Sequence, residues 1–256
     1  MNPTVCIPPE SYVLGRAIRN YKYFSFLPWN LLSRIVISEF ESFPQFKSWD
    51  INLRGFYQIA QCMPEDDRNL AKLLDNFYSN YASEKMPDSK RWGDKTPVNT
   101  FAVNLIHEVF PSSKHIHMIR DGRDVVASYL SAGLYPNVEE AARRWIRSVE
   151  AGQSFGRKIG DTQYLEIHYE SLVKQPREVV MKVCRFLEME YLPEMLEPWK
   201  RIGYLGDAYL PHHLNLLNPI NEDSIGKWET RLNQQDQAYV QNHLQSKLLV
   251  LGYSTG

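Results

Sequence analysis

The chain has 256 residues, 43% hydrophobic and 23% charged, with a formal net charge of -1, so it can bury a sizeable core in one large or two small domains. That balance excludes a nucleic-acid binder that works by bulk charge, while leaving room for a local basic pocket. Cys6, Cys62 and Cys184 are far apart, odd in number and form no CxxC pair, which predicts a reducing, cytoplasmic setting without a disulfide framework.

No apolar run approaches the length of a membrane span, and Met1-Asn2-Pro3-Thr4-Val5 reads as neither signal nor transit peptide. Residues 1 to 10 are extended and broken by proline. Glu10 precedes an apolar helical pattern (Tyr12, Val13, Leu14, Ala17, Ile18) and reads, taken alone, as a first-turn residue favoured by the helix dipole. Residues 20 to 47 are aromatic-rich, with Tyr21, Tyr23, Phe24, Phe26, Trp29, Phe40, Phe43 and Phe46. Core packing explains such a stretch more often than an acceptor pocket does. Helical patterns follow near 49–61 and 67–83, the second with Leu70, Leu73, Leu74, Phe77, Tyr78 and Tyr81 on one face.

Arg91-Trp92-Gly93-Asp94-Lys95-Thr96-Pro97 comes next. Pro97 suits the first turn of a helix and Thr96 its N-cap, so Lys95 sits at a loop-to-helix junction where an ammonium can meet an anion. His115-Ile116-His117-Met118-Ile119 alternates like a strand, then breaks at Arg120-Asp121-Gly122-Arg123-Asp124 and resumes as a helix through Val125, Val126, Tyr129 and Leu130. Taken alone, such a turn is more often a solvated salt-bridged surface. A strand feeding a helix N-terminus is, however, where open α/β sheets bind anions, and Arg120 there offers a bidentate fork. Ser128 lies eight residues beyond Arg120, within reach of the same ligand. His115 and His117 share a strand face, but without a third ligand nearby they are expected to be packed or hydrogen-bonded rather than metal-bound.

A long amphipathic helix is predicted over 137–158. A second strand over 163–169 ends at Tyr169, placed like a ligand-facing residue of an open sheet although a core tyrosine is equally common there, and Pro176 starts another helix. Two strands each followed by helix imply a parallel sheet. Residues 203–223 read as a loop before Ser224-Ile225-Gly226-Lys227-Trp228, and the last helix spans about 234–251. With no repeat, low-complexity tract or clear linker, a single domain over 1–256 is expected.

Trp92-Gly93-Asp94-Lys95-Thr96-Pro97, Phe110-Pro111, Ile119 to Ser128, His168 to Leu172 and Ile225 to Trp228, in this order, resemble the sulfotransferases that use 3'-phosphoadenosine 5'-phosphosulfate (PAPS). The group they are similar to is the bacterial sulfotransferase-domain one related to tyrosylprotein sulfotransferases, and the likeness runs from about Thr4 to Tyr253. The resemblance implies an α/β fold of P-loop-NTPase type, a parallel sheet flanked by helices. It implies that Arg120 and Ser128 hold the donor's 3'-phosphate, that Tyr169 contacts its nucleoside and that Lys227 closes on it from a late loop, after a similar Pro219-Ile220-Asn221. Lys95 matches the lysine that stabilises charge on the leaving phosphate, and Glu10 resembles the general base. A serine that the tyrosylprotein enzymes place near the sulfuryl group falls near His213. PAPS as donor, with PAP (the 3',5'-bisphosphate) as product, needs no metal here, since no carboxylate cluster requires Mg2+.

The family's first strand and glycine-rich phosphate loop, of PRSGTT type, have no counterpart: no Arg-Ser-Gly-Thr or Gly-Lys-Ser/Thr occurs. The expectation is a fragment or a displaced start, with little or no activity for the chain as it stands. An inactive nucleotide-binding relic and a P-loop kinase-like phosphotransferase stay open beside the sulfotransferase reading. The acceptor implied is a hydroxyl of a carbohydrate, peptide tyrosine, lipid or small alcohol, shaped by residues 20–47 and 203–223, with no nucleic acid and no membrane segment.

Overall fold

The computed structural model describes residues 2–197 and 218–254. The chain divides into two compact units, Met1–Ser113 with Pro198–Asn218, and Lys114–Glu197 with Pro219–Gly256.

The first unit is mostly helical: α1 (Leu14–Tyr23), α2 (Trp29–Glu41), α3 (Arg54–Gln61), α4 (Leu70–Lys85) and α5 (Val103–Val109). Its core is aromatic. Phe40, Trp49, Phe56, Phe77 and Tyr78 are buried, and Trp49 meets Phe40, Phe77 and Tyr78 with ring centroids 5.6–6.2 Å apart. The six apolar residues read on one face of α4 are all buried, and Asn69 caps that helix by accepting from the Lys72 N–H at 3.0 Å. Of the aromatics in 20–47, Phe40 is core and Tyr21, Trp29, Phe43 and Phe46 pack against it, whereas Tyr23 and Phe26 face solvent. The pattern near 49–61 is shorter than expected: Pro44–Trp49 is a 3-10 turn, and the α-helix begins at Arg54. A short parallel pair, β1 (Val5–Cys6) with β2 (Arg91–Trp92), ties the extended first residues to the loop before Lys95.

The second unit holds β3 (His115–Ile119) and β4 (Tyr164–His168), paired in parallel from His115↔Tyr164 to Ile119↔His168. Around them lie α6 (Gly122–Ser131), α7 (Val138–Ile159), α8 (Tyr169–Lys174), α9 (Pro176–Leu187), α10 (Trp228–Arg231) and α11 (Gln234–Val250). Asn137 caps α7 by accepting from the Glu140 N–H, and Asn233 caps α11 by accepting from the Asp236 N–H, both at 2.9 Å. Gly122 opens α6 against Trp145 and Leu244, where a Cβ would stand 2.8 and 2.9 Å from their side chains, so only glycine lets the turn approach. The predicted parallel sheet with flanking helices is present as these two-stranded pairs.

The strand histidines are packed. His117 Nδ1 lies 2.6 Å from the Tyr164 hydroxyl, and burial lowers the His117 pKa. His115 meets the edge of Phe155 at 4.7 Å. Among the described residues no group of three or more His, Cys, Asp or Glu is placed to hold a metal.

Candidate active site

In the second unit, the shared register of β3 and β4 releases Arg120 and Tyr169 together, one residue past Ile119↔His168. The Arg120 guanidinium lies over the Tyr169 ring, 4.7 Å from its centroid. Its Nη2 donates to the Ser224 carbonyl and stands 3.9 Å from Asp124 Oδ2. Its Nε is buried and, among the described residues, has no acceptor. A buried donor of this kind costs about 1–3 kcal/mol unless something accepts from it. The group that fits is an anion at the start of α6, where the helix dipole acts in the same direction. Ser128 lies further along α6, half-buried.

Asp124 was not singled out by the sequence reading. Its carboxylate is 2% exposed and accepts two backbone N–H bonds from the late loop, Gly226 at 2.9 Å and Trp228 at 3.0 Å. Gly226 has φ +73, which favours glycine. Arg123 stacks on the Trp228 ring at 4.7 Å. Lys227 lies between these two anchored amides, half-buried at the N-cap of α10. The structure therefore brings Arg120, Tyr169 and the backbone around Lys227 into one connected set. Taken alone this turn would be a solvated salt bridge, but here it carries buried Asp121, Arg123 and Asp124.

In the first unit, β1–β2 pairing lays residues 7–11 alongside 93–96. Glu10 is not in a first helical turn, because Tyr12 has φ 57 and the helix begins at Leu14. Glu10 is 8% exposed; its Oε1 accepts from Lys95 Nζ and its Oε2 from the Tyr12 hydroxyl. Tyr12 stacks on Phe43 at 5.3 Å, and its left-handed backbone costs about 1–3 kcal/mol. Lys95 is 63% exposed at its side chain, so its ammonium stays hydrated on one side while holding Glu10 on the other. Thr96 sits at the N-cap position of a 3-10 turn, Pro97–Phe101, rather than of an α-helix. Its hydroxyl accepts from the Ser11 N–H at 3.0 Å in place of capping.

Asp94 was likewise missed. It accepts from Tyr78 at 2.5 Å, Asn99 at 2.6 Å and Ser11 Oγ at 3.1 Å, which fixes the loop on either side of Lys95. Burial and the Asp94 charge together raise the Tyr78 pKa, keeping that phenol a donor. The signal for both aspartates was their place inside the two richest motifs, but their partners are distant in sequence. His213 and most of the loop 203–223 lie outside the described residues.

Comparison with known proteins adds the lineage. The protein-tyrosine sulfotransferase of Drosophila melanogaster is 27% identical over 147 residues, covering 55% of this chain and 26% of the fly protein. The Gallus gallus protein-tyrosine sulfotransferase 2 is 27% identical over 145 residues, 53% of this chain and 39% of its own. The chain thus spans well under half the length of these curated relatives. In fold it is similar to the sulfotransferase domain of the Synechococcus PCC 7002 olefin synthase, with TM-score 0.55 at 17% identity over 93% of both chains. The sulfotransferase domain from the curacin biosynthetic pathway aligns with TM-score 0.54 at 16% identity over 99% of both. A profile of the sulfotransferase family matches residues 38–193, well over half of the sequence: the chain belongs to the sulfotransferase family.

Proposed function

We propose that this chain transfers a sulfuryl group from PAPS to a hydroxyl acceptor. The observation that carries the donor half is the buried Nε of Arg120 at the β3–α6 turn, which has no acceptor among the described residues. PAPS, when bound, supplies the sulfuryl group. Arg120 donates to the 3'-phosphate with Ser128 beside it on α6, Tyr169 faces the nucleoside, and Lys227 comes from the late loop that Asp124 anchors. Lys95 offsets charge on the leaving phosphate, and Glu10 takes the proton of the acceptor hydroxyl. Such a transfer is dominated by positioning and electrostatics, as in phosphoryl transfer, so the site needs anchored cations more than a nucleophile.

The relatives' names indicate protein tyrosine as their acceptor. A phenolic acceptor is supported here by one contact: Glu10 Oε2 already accepts from a phenol, that of Tyr12. The incoming hydroxyl takes that place when Tyr12 turns aside.

A second reading, a nucleotide-binding protein without turnover, draws on the same contact, since Lys95 and Tyr12 engage both Glu10 oxygens. Two measurements test the proposal. Calorimetry without Mg2+ is expected to show tighter binding of PAP than of ATP. Incubation with PAPS and a phenolic acceptor is expected to give the sulfate ester only slowly, since the family's glycine-rich phosphate loop has no counterpart in the sequence. Equal affinity for the two nucleotides sinks the donor assignment, and binding of PAP with no ester formed leaves the second reading standing.

A further inference from the structure

After α11 the chain continues through Gly252-Tyr253-Ser254, with the Tyr253 N–H returning to the Leu248 carbonyl at 2.9 Å. This segment lies against the turn that follows Arg120. The Tyr253 hydroxyl donates to Glu170 Oε2 at 2.9 Å, and Glu170 Oε1 accepts from the Asp121 backbone N–H, also at 2.9 Å. The Ser254 carbonyl accepts from Arg123 Nη2 at 2.8 Å, while the same guanidinium holds the Asp121 carboxylate at 2.7 Å. Asp121 is therefore gripped at its amide through Glu170 and at its side chain through Arg123.

His168 completes the arrangement, its Nδ1 lying 3.1 Å from the Tyr253 hydroxyl. An ionised Glu170 only accepts, so the phenol's one proton points at Glu170 and His168 presents Nδ1–H to the phenol oxygen. Burial, followed by the charge of Glu170, pushes the Tyr253 pKa far above the usual tyrosine range, in keeping with a phenol held as a donor. Glu170 is left with one oxygen for the tyrosine and one for the peptide between Arg120 and Asp121.

We propose that Tyr253 is a positioning residue for the anion site: through Glu170 it fixes the Arg120–Asp121 peptide and so the direction in which the buried Nε of Arg120 faces its ligand. The inference rests on the reading of Arg120 as the 3'-phosphate ligand. Nothing in it requires Tyr253 to touch a nucleotide. The coupling runs through the backbone, so it acts on whatever Arg120 binds and on nothing that Arg120 does not bind.

That restriction supplies the test. Calorimetry on the full chain compares PAP with adenosine 5'-phosphate, which lacks the 3'-phosphate, for wild type, Tyr253→Phe, Arg120→Ala and the double variant. Tyr253→Phe is expected to weaken PAP by about tenfold, the worth of one hydrogen bond to a charged group. It should leave adenosine 5'-phosphate unchanged. In the double variant the loss should equal that of Arg120→Ala alone, because the two act as one unit. Glu170→Gln keeps an oxygen for the Asp121 N–H and should retain the preference for PAP, whereas Glu170→Ala should lose it.

Equal weakening of both nucleotides, or additive losses in the double variant, overturns the inference by making Tyr253 merely structural. If Tyr253→Phe does not fold, Glu170→Ala decides alone: an unchanged preference for PAP sinks the idea. A wild-type chain that binds both nucleotides equally overturns the 3'-phosphate reading of Arg120 itself, a distinct failure that takes this inference with it.

Discussion

The two units are stabilised by opposite means. The first surrounds Trp49 with rings and admits Glu10 as its buried charged side chain among the described residues. The second buries Asp121, Arg123 and Asp124 beside a core of Val126, Ala141, Trp145, Val240 and Leu244. Apolar burial is non-directional, so the first unit is sensitive to volume. Buried carboxylates are held by specific donors, so the second is sensitive to which atom carries a proton or a charge. The lesson is that the turn presenting Arg120 is braced by charges kept out of water, whereas the Lys95 side chain stays largely exposed.

This contrast can be broken at several points. The largest effect is expected from Trp49→Ala, a loss of about 4 kcal/mol of unfolding free energy in urea, from a cavity in the ring cluster. Trp49→Phe should cost less than half of that, because the indole N–H is buried and has no partner among the described residues. Asp124→Ala follows at about 3 kcal/mol, since it strips two anchored amides of their acceptor. Limited proteolysis should then cut within 219–227 before the rest of the chain. If Asp124→Ala melts like the wild type, the second unit is not braced by buried charge.

Lys95→Ala and Arg120→Ala separate the units by function. The first should lower turnover by about a hundredfold with PAP affinity nearly intact, and the second should weaken PAP by about 2 kcal/mol. Matching losses of affinity in both would erase the division of roles. Unfolding of Lys95→Ala without a separate catalytic loss would make that lysine structural.

The smallest effect is alkaline. Burial raises the Cys6 thiol from 9.0 to about 11, and Tyr78 lies well above 10.0. Each group stays protonated in the folded chain at a pH where the unfolded chain has lost that proton. Stability is therefore full below pH 9, falls as pH rises from there, and falls more steeply past 10, by at most about 1.4 kcal/mol per pH unit for each group. Denaturant titrations across that range should show a shallower decline above pH 10 for Tyr78→Phe. An unaltered slope would show that this phenol ionises as freely in the folded chain as in the unfolded one.

Much of this was legible in the sequence. The period of α4 and α7, the alternation of β3, and the strand-turn-helix that presents Arg120 are local signals, and local signals survive in a one-dimensional reading. The β1–β2 pair was not legible, because two residues per strand carry no period and the partners stand 86 positions apart, Val5 against Arg91. Asp94, Asp124 and Glu170 look in sequence like ordinary surface carboxylates. Only folding shows that Asp124 faces amides 102 and 104 residues away and that Thr96 spends its hydroxyl on Ser11. The left-handed Tyr12 was hidden for a similar reason: its neighbours carry a helical pattern that starts two residues later than it reads.

The register of β3 and β4 limits where the chain can change length. Ile119 and His168 leave their ladder level with one another, and the Arg120–Tyr169 contact and the Glu170 bond to Asp121 both depend on that level exit. A one-residue deletion inside either strand would shift its pairing and swap its faces, turning Arg120 or Tyr169 away from the other while leaving composition and helix content untouched. An insertion at Gly160–Gln163, in the turn before β4, is absorbed upstream of the ladder. Length polymorphism is accordingly tolerable ahead of β4 and intolerable within it, so the spacing between strand and motif is as much a part of the site as the side chains are.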